Sequence, residues 1–376
     1  MAKKSYIGIG GKARKIKKWY FGVDSKARKV KKGYIGVGGV ARPFMSSELT
    51  YYGLATNSLS TGAQCRCASV GNYALVKEGS TSSTLVETYN TSLVKSSATS
   101  MTLAASSQFG VSTGSNAVFI GGSYYPSGST TTSNMTTYYA YNSSLVMSSY
   151  TVPDTSSYSI DGATTINGHL IYGRRSTSTM KCLDSSFVSV SISGAQSTSG
   201  GRCMTHSSTH ALVTGGATTL TTGYAYSTTL VRSSFTLQTA LAGHMGTPLG
   251  TGAIVGFGDY SGSETTDHIC DFISDSLVVS VVGTYSTSPY HSNGVCGTLE
   301  DFALFAGDYT LSSGIYDTSL VDVFDTKLVH STMNLSKTNI YNAGCTTVGS
   351  YLLIAGGFQR TSSSATALKT VEVFTV

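Results

Sequence analysis

An apolar, β-branched run, in most copies ending in glycine, returns seven times after Pro43, and any fold for this chain must use all seven in the same way. The runs are Tyr73 to Val76, Ala117 to Gly122, His169 to Gly173, Ala211 to Gly216, Ala253 to Gly258, Phe302 to Gly307 and Leu352 to Gly357. Six are followed by a second marker, read as a strand, a short polar turn and a Leu-Val strand: Tyr89 to Val94, Tyr141 to Val146, Leu183 to Val188, Tyr226 to Val231, Ile273 to Val278 and Phe324 to Val329. The anchors Leu93, Leu145, Phe187, Leu230, Leu277 and Leu328 stand 52, 42, 43, 47 and 51 residues apart. A period of this length suits one four-stranded sheet per copy, and a sheet that small buries its faces only by stacking on neighbours around an axis. The fold class expected is all-β: a seven-bladed β-propeller preceded by an arm of short β-hairpins.

The seventh copy runs out at Val371-Glu372-Val373-Phe374, before its outer strand. Leu49 to Ser58 stands ahead of the first copy with the spacing of Leu93 to Thr99. The strand near 48–55 is therefore expected to complete the last blade, which removes two open sheet edges. The domains expected are an arm over 1–43, a linker over 44–46 and a propeller over 47–376.

Composition agrees with strands and tight turns. Only 12% of residues are charged, with 42 Gly, 24 Tyr and 5 Pro, a balance that disfavours helices. No apolar run approaches the roughly 18 residues of a membrane helix, and no apolar signal core follows Met1, so synthesis in a cytoplasm is expected. The seven cysteines (65, 67, 182, 203, 270, 296 and 345) show no zinc-site spacing and read as free thiols in the core.

A shorter repeat fills the first 43 residues. Tyr6-Ile7-Gly8-Ile9-Gly10-Gly11-Lys12-Ala13-Arg14-Lys15-Ile16-Lys17-Lys18 returns 14 residues later from Tyr20 and again from Tyr34. This arm holds 13 of the 25 Lys/Arg and one of the 19 acids, so it carries +12 while the remainder carries −6. Each unit reads as a hairpin of an aromatic strand and a basic strand, too small to stand alone. Tyr6, Arg14, Trp19, Tyr20, Arg28, Tyr34 and Arg42 are its candidate contact residues, toward an acidic protein partner or toward nucleic acid by phosphate contact and stacking.

The diglycine strands and Tyr-Asp-like markers resemble the kelch and galactose-oxidase class of propeller over residues 47–376, without that class's regular Tyr/Trp pair after the diglycine. The arm resembles segments at the start of bacteriophage structural proteins. Together these resemblances imply a virion structural protein, a fibre or decoration protein anchored to other virion proteins through residues 1–43 and displaying its propeller for host recognition. They imply that it works in many copies, as a virion component made in the host cytoplasm.

The loops between the second and third strands are long and bear Tyr and Arg, so Tyr124, Tyr125, Arg174, Arg175, Tyr260, Tyr309, Phe358 and Arg360 are the candidate ligand-binding face, for a carbohydrate or receptor on a host surface. Catalysis has little to rest on. His206 and His210 lie across a turn rather than on one helix, and Asp259, Glu264, Asp267 and Asp308 lack calcium-loop spacing. The expectation is a protein that is no enzyme and needs no cofactor or metal, with no membrane partner and with nucleic acid ranked below a protein as the partner of the arm. The alternative is a propeller enzyme acting on surface polysaccharide, or an arm that binds nucleic acid.

Overall fold

The computed structural model describes the chain apart from residues 1–4, 10–11, 17–19, 24–25, 30–32, 38–39, 46–47, 81, 127–128, 130, 154–159, 175–178, 193–202, 216–219, 242–243, 258–268, 285–293, 308–318 and 361–363, with backbone alone over the rest of 5–45 and at 220, 239–241 and 284. The chain divides into two units, Met1–Thr50 with Val376, and Tyr51–Thr375. In the first, Ser5–Ile9 pairs with Lys12–Ile16, Tyr20–Val23 with Lys26–Lys29, and Gly33–Val37 with Val40–Met45. The 14-residue period sets one register, with Ile7 opposite Arg14, Phe21 opposite Arg28 and Ile35 opposite Arg42.

The second unit contains seven four-stranded antiparallel sheets among the described residues and no helix there long and apolar enough to cross a membrane. Numbered in chain order, sheets 1 to 7 begin with the inner strands Cys65–Val70, Phe109–Ser112, Ile160–Ile166, Cys203–His206, Met245–Leu249, Val295–Leu299 and Gly344–Val348. The inner strands adjoin in cyclic order, each to the next and the seventh to the first. Apolar residues fill the layers between neighbouring sheets: Leu75 and Val86 of sheet 1 pack with Phe119 and Tyr141 of sheet 2, and Val76 and Tyr89 of sheet 1 with Leu353 and Val373 of sheet 7. Strands buried on both faces read as continuous apolar runs, which is why the second strand of every sheet carries the sequence repeat.

Sheet 7 takes its outer strand from the other end of the domain, in the order Gly344–Val348, Tyr351–Ala355, Val371–Thr375, Thr50–Leu54. The Tyr51 hydroxyl donates to Glu372 Oε2 at 2.5 Å and its ring lies 5.4 Å from that of Phe374. Burial, then the carboxylate beside it, pushes the Tyr51 pKa up to about 12. Ala55 N continues the pairing onto Val371 O at 2.9 Å.

The third strands carry a device that the sequence analysis missed. Buried Glu372 accepts from Ser336 N at 3.2 Å and Ser336 Oγ at 2.5 Å, in the connection leaving sheet 6. Buried Glu87 accepts from Ser60 N at 3.0 Å and Ser60 Oγ at 2.7 Å, in the connection entering sheet 1, and pairs with Lys95 at 2.9 Å. Asp271 of sheet 5 accepts from Gln238 N of sheet 4 at 2.9 Å. These carboxylates tie sheets 7, 1 and 5 each to the sheet before it, since a charge out of water persists only with donors around it.

The Leu-Val pairs are not strands. In all six turns the first apolar residue has left-handed backbone, with φ of 60° at Leu93, 64° at Phe187 and 61° at Leu277. Asn90, Asn142, Asp184 and Asp325 each accept two backbone N–H groups, from the residues two and four positions on. The Leu or Phe is turned onto the core, while the following valine is exposed, from 54% at Val94 to 63% at Val278. All seven cysteines are free, and Gly344 lacks a side chain where a Cβ would stand 2.5 Å from Cys67 Sγ of the next sheet.

Candidate active site in the central channel

All seven inner strands line one cavity of about 310 Å³. Its wall repeats with the fold. Ser69, Ser112, Thr165, His206, Pro248, Thr298 and Thr347 occupy the same place in their sheets, opposite Ala74, Ala117, Leu170, Ala211, Ala253, Ala303 and Leu352 of the second strands, and all seven face the cavity. An inner strand is a sheet edge, so its outward N–H and C=O groups need partners. The hydroxyls supply them: Ser69 N donates to Ser112 Oγ at 2.8 Å, Thr165 Oγ1 donates to Ser112 O at 3.1 Å, and Thr298 Oγ1 donates to Pro248 O and lies 2.8 Å from Thr247 Oγ1.

Two positions of this ring lack a hydroxyl, Pro248 and His206, and the titratable one is His206. It makes no hydrogen bond among the described residues, and burial pushes its pKa below the ordinary histidine value, leaving a neutral imidazole at pH 7. Beside it, the hydroxyl of Thr205 is buried without a partner among the described residues. Cys345, on the same wall, stays a thiol because burial raises its pKa far above the ordinary value. The described wall thus presents a proton acceptor, hydroxyl donors and no carboxylate. His210, across the turn, bonds Thr209 Oγ1 at 2.8 Å instead, and no group of three or more His, Cys, Asp or Glu among the described residues is placed to hold a metal ion.

The residues expected to form a binding face are distributed differently. Tyr124 is half-buried in a two-stranded ribbon inserted in sheet 2, and Tyr125 is exposed beside it. Arg174 ends a strand and is buried at 7% exposure, so it is no part of an open loop. Phe358 and Arg360 are half-buried in a short strand of sheet 7's insertion, with Phe358 stacked on Tyr341 at 5.5 Å. Arg175, Tyr260 and Tyr309, with Trp19 of the arm, lie outside the described residues, as do Asp259, Glu264, Asp267 and Asp308. The side chains of Tyr6, Arg14, Tyr20, Arg28, Tyr34 and Arg42 are likewise undescribed. His206 was legible only as half of a histidine pair. Aligning the seven inner strands on their turns would have shown it as the one imidazole in a ring of Ser, Thr and Pro.

No protein-family model matches the chain, and no curated protein matches it in sequence. Solved structures match in fold. Virginiamycin B lyase from Staphylococcus aureus superposes with a TM-score of 0.57 at 10% identity, over 88% of this chain and 99% of that one. A streptogramin B lyase gives 0.56 at 10% identity over 87% and 97%. A catalytically inactive variant of the S. aureus lyase with quinupristin gives 0.56 at 9% identity over 88% and 99%. The chain therefore has the β-propeller fold, all-β and built of four-stranded antiparallel sheets.

These matches correct the expectation of a bacteriophage virion structural protein, a fibre for host recognition or carbohydrate binding that is no enzyme. The three structures named are of lyases, one a catalytically inactive variant, and none of these three is a virion fibre. The physical reason for the error is that the expectation weighed loops and charge runs, which are continuous in sequence, whereas a channel wall exists only once seven distant strands adjoin.

Proposed function

We propose that this chain is a seven-bladed propeller closed by its N-terminal strand, and that it is an enzyme of the lyase class acting on surface polysaccharide at the central channel. The observation that carries the reading is His206, neutral and without a partner among the described residues in a ring of hydroxyls. Glycoside hydrolysis ordinarily employs two carboxylates, and the buried acids Glu87, Asp271 and Glu372 are engaged between sheets. Elimination needs one base. In a uronic-acid unit the C–H beside the carboxylate is acidic enough for an imidazole to remove its proton. The electron pair forms a C=C bond, the C–O bond to the neighbouring sugar breaks, and the departing oxygen takes the proton back from the imidazolium. The ring hydroxyl of Thr347, whose proton is not given to a backbone carbonyl among the described residues as those of Thr165 and Thr298 are, donates to the oxygen on which negative charge develops.

The cavity size favours a sugar unit over a whole cyclic depsipeptide, because about 310 Å³ is at the low end of ligand pockets, which run from about 300 to 1,000 Å³. The test is ultraviolet absorbance from the new conjugated C=C in uronate-containing polysaccharides, with quinupristin ring opening followed by mass spectrometry in parallel. Wild type should produce the unsaturated product, and His206→Gln should lose about 100-fold or more in rate, the usual worth of a general base. Absence of product from every uronate polymer would overturn the polysaccharide reading, and opening of quinupristin alone would move the substrate to cyclic depsipeptides.

A further inference from the structure

Sheet 1 holds a half-buried and a fully buried cation that the channel chemistry does not use. Arg66 and Lys77 are register partners on adjacent strands. Arg66 Nε donates to Gln108 O and Nη1 to Cys65 O, both at 2.8 Å. Lys77, fully buried, donates from Nζ to Ala105 O at 3.1 Å and to Glu78 O. Neither has a carboxylate within ion-pair distance among the described residues, and the nearby acid Glu78 accepts from Thr61 Oγ1 at 2.7 Å. The residue whose carbonyl serves Arg66 supplies the second observation. Gln108 is 1% exposed, and both Oε1 and Nε2 lack a partner among the described residues. A buried amide left unbonded costs free energy, as do two like charges held in one low-dielectric space. Gly122 gives Gln108 its room, since a Cβ there would stand 2.9 Å from Gln108 Cγ.

We propose that Arg66, Lys77 and Gln108 form an oxyanion site, taking a carboxylate, sulfate or phosphate group. The ligand would accept from Arg66 Nη2, the remaining Lys77 proton and Gln108 Nε2, which are the donors left over once the carbonyls are served. Entry is from the side of Arg66, which is half-buried while the other two are enclosed. Burial lowers the pKa of Lys77 to about 8, outweighing the opposite pull of the Glu78 carboxylate. The site is independent of His206 and stands or falls apart from the lyase reading.

The experiment measures melting temperature and calorimetric binding of the whole chain with inorganic phosphate, sulfate or glucuronate, against chloride at equal ionic strength. Wild type should be stabilised by at least one oxyanion beyond chloride, and the arm that binds identifies the source. Gln108→Glu places a carboxylate beside the cations, so it should melt higher without ligand and lose the oxyanion effect. Gln108→Leu, which adds no charge, should weaken binding about tenfold, as expected for loss of one hydrogen bond to a charged group. If wild type responds to oxyanions no more than to chloride, or both variants bind as wild type does, the cations serve only to fasten residues 105–108 and the proposal fails.

Discussion

The six turns between third and fourth strands and the ring around the channel are both sevenfold in origin, yet they diverge in opposite ways. The turns keep the same solution each time: a Ser, Asn or Asp acceptor, a left-handed Leu or Phe, an exposed valine. The ring keeps its position but changes its chemistry twice, placing Pro248 and His206 among five hydroxyls. A feature that repeats answers a local folding need that every sheet shares. A departure at an otherwise repeated position answers something the sheets do not share, and of the two in the channel only His206 supplies a proton acceptor.

Breaking the repeated features should cost stability and spare chemistry. The largest effect is expected at the closure. Glu372→Leu strands the Tyr51 hydroxyl and both Ser336 donors, and should lower stability by about 3 kcal/mol or more, the scale for breaking a buried charged network. Denaturant titration with an unchanged slope would show that the fold persists while its stability drops.

Next comes an inversion of the usual alanine and glycine order. Leu230 is 9% exposed with φ of 62°. Both substitutions lose its buried apolar surface, but only alanine keeps the left-handed penalty, so Leu230→Gly should be more stable than Leu230→Ala by about 1 kcal/mol. Alanine the more stable of the pair would mean that the turn relaxes out of the left-handed region. The smallest effect belongs to the exposed rim, where Val231→Thr should change stability by less than about 0.5 kcal/mol.

The ring departure has its own pH signature. Because the folded pKa of His206 lies below the unfolded value of about 6.5, the unfolded chain binds a proton that the folded chain does not. Its contribution to stability is therefore complete above that pH and is lost as pH falls from there to the folded value. Wild type should lose melting temperature more steeply than His206→Gln across that window. Parallel curves would show that the imidazole is as free to protonate in the fold as outside it.

How much of this was legible follows from sequence distance. The second strands announce themselves because each is a contiguous apolar run, and the missing outer strand of sheet 7 shows in the broken count of Leu-Val anchors. The left-handed Leu93 and its counterparts were misread as strand because Leu is a poor marker of that backbone region. Here packing overrides the local preference that would call for glycine or asparagine. The carboxylate ties were hidden because Glu87 meets Ser60, and Glu372 meets Ser336, only after a connection has been laid across a neighbouring sheet. The channel ring spans Ser69 to Thr347 and depends on register, which moves every side chain to the other face if shifted by one residue.

The most direct measurement of the central claim, that His206 is the catalytic group, is the fate of the substrate C–H beside the carboxylate. A uronate oligosaccharide incubated with the protein should lose the proton NMR signal of that C–H and gain the signal of a proton on the new C=C with wild type, and should stay unchanged with His206→Gln. Equal conversion by both proteins, or none by either, would contradict it.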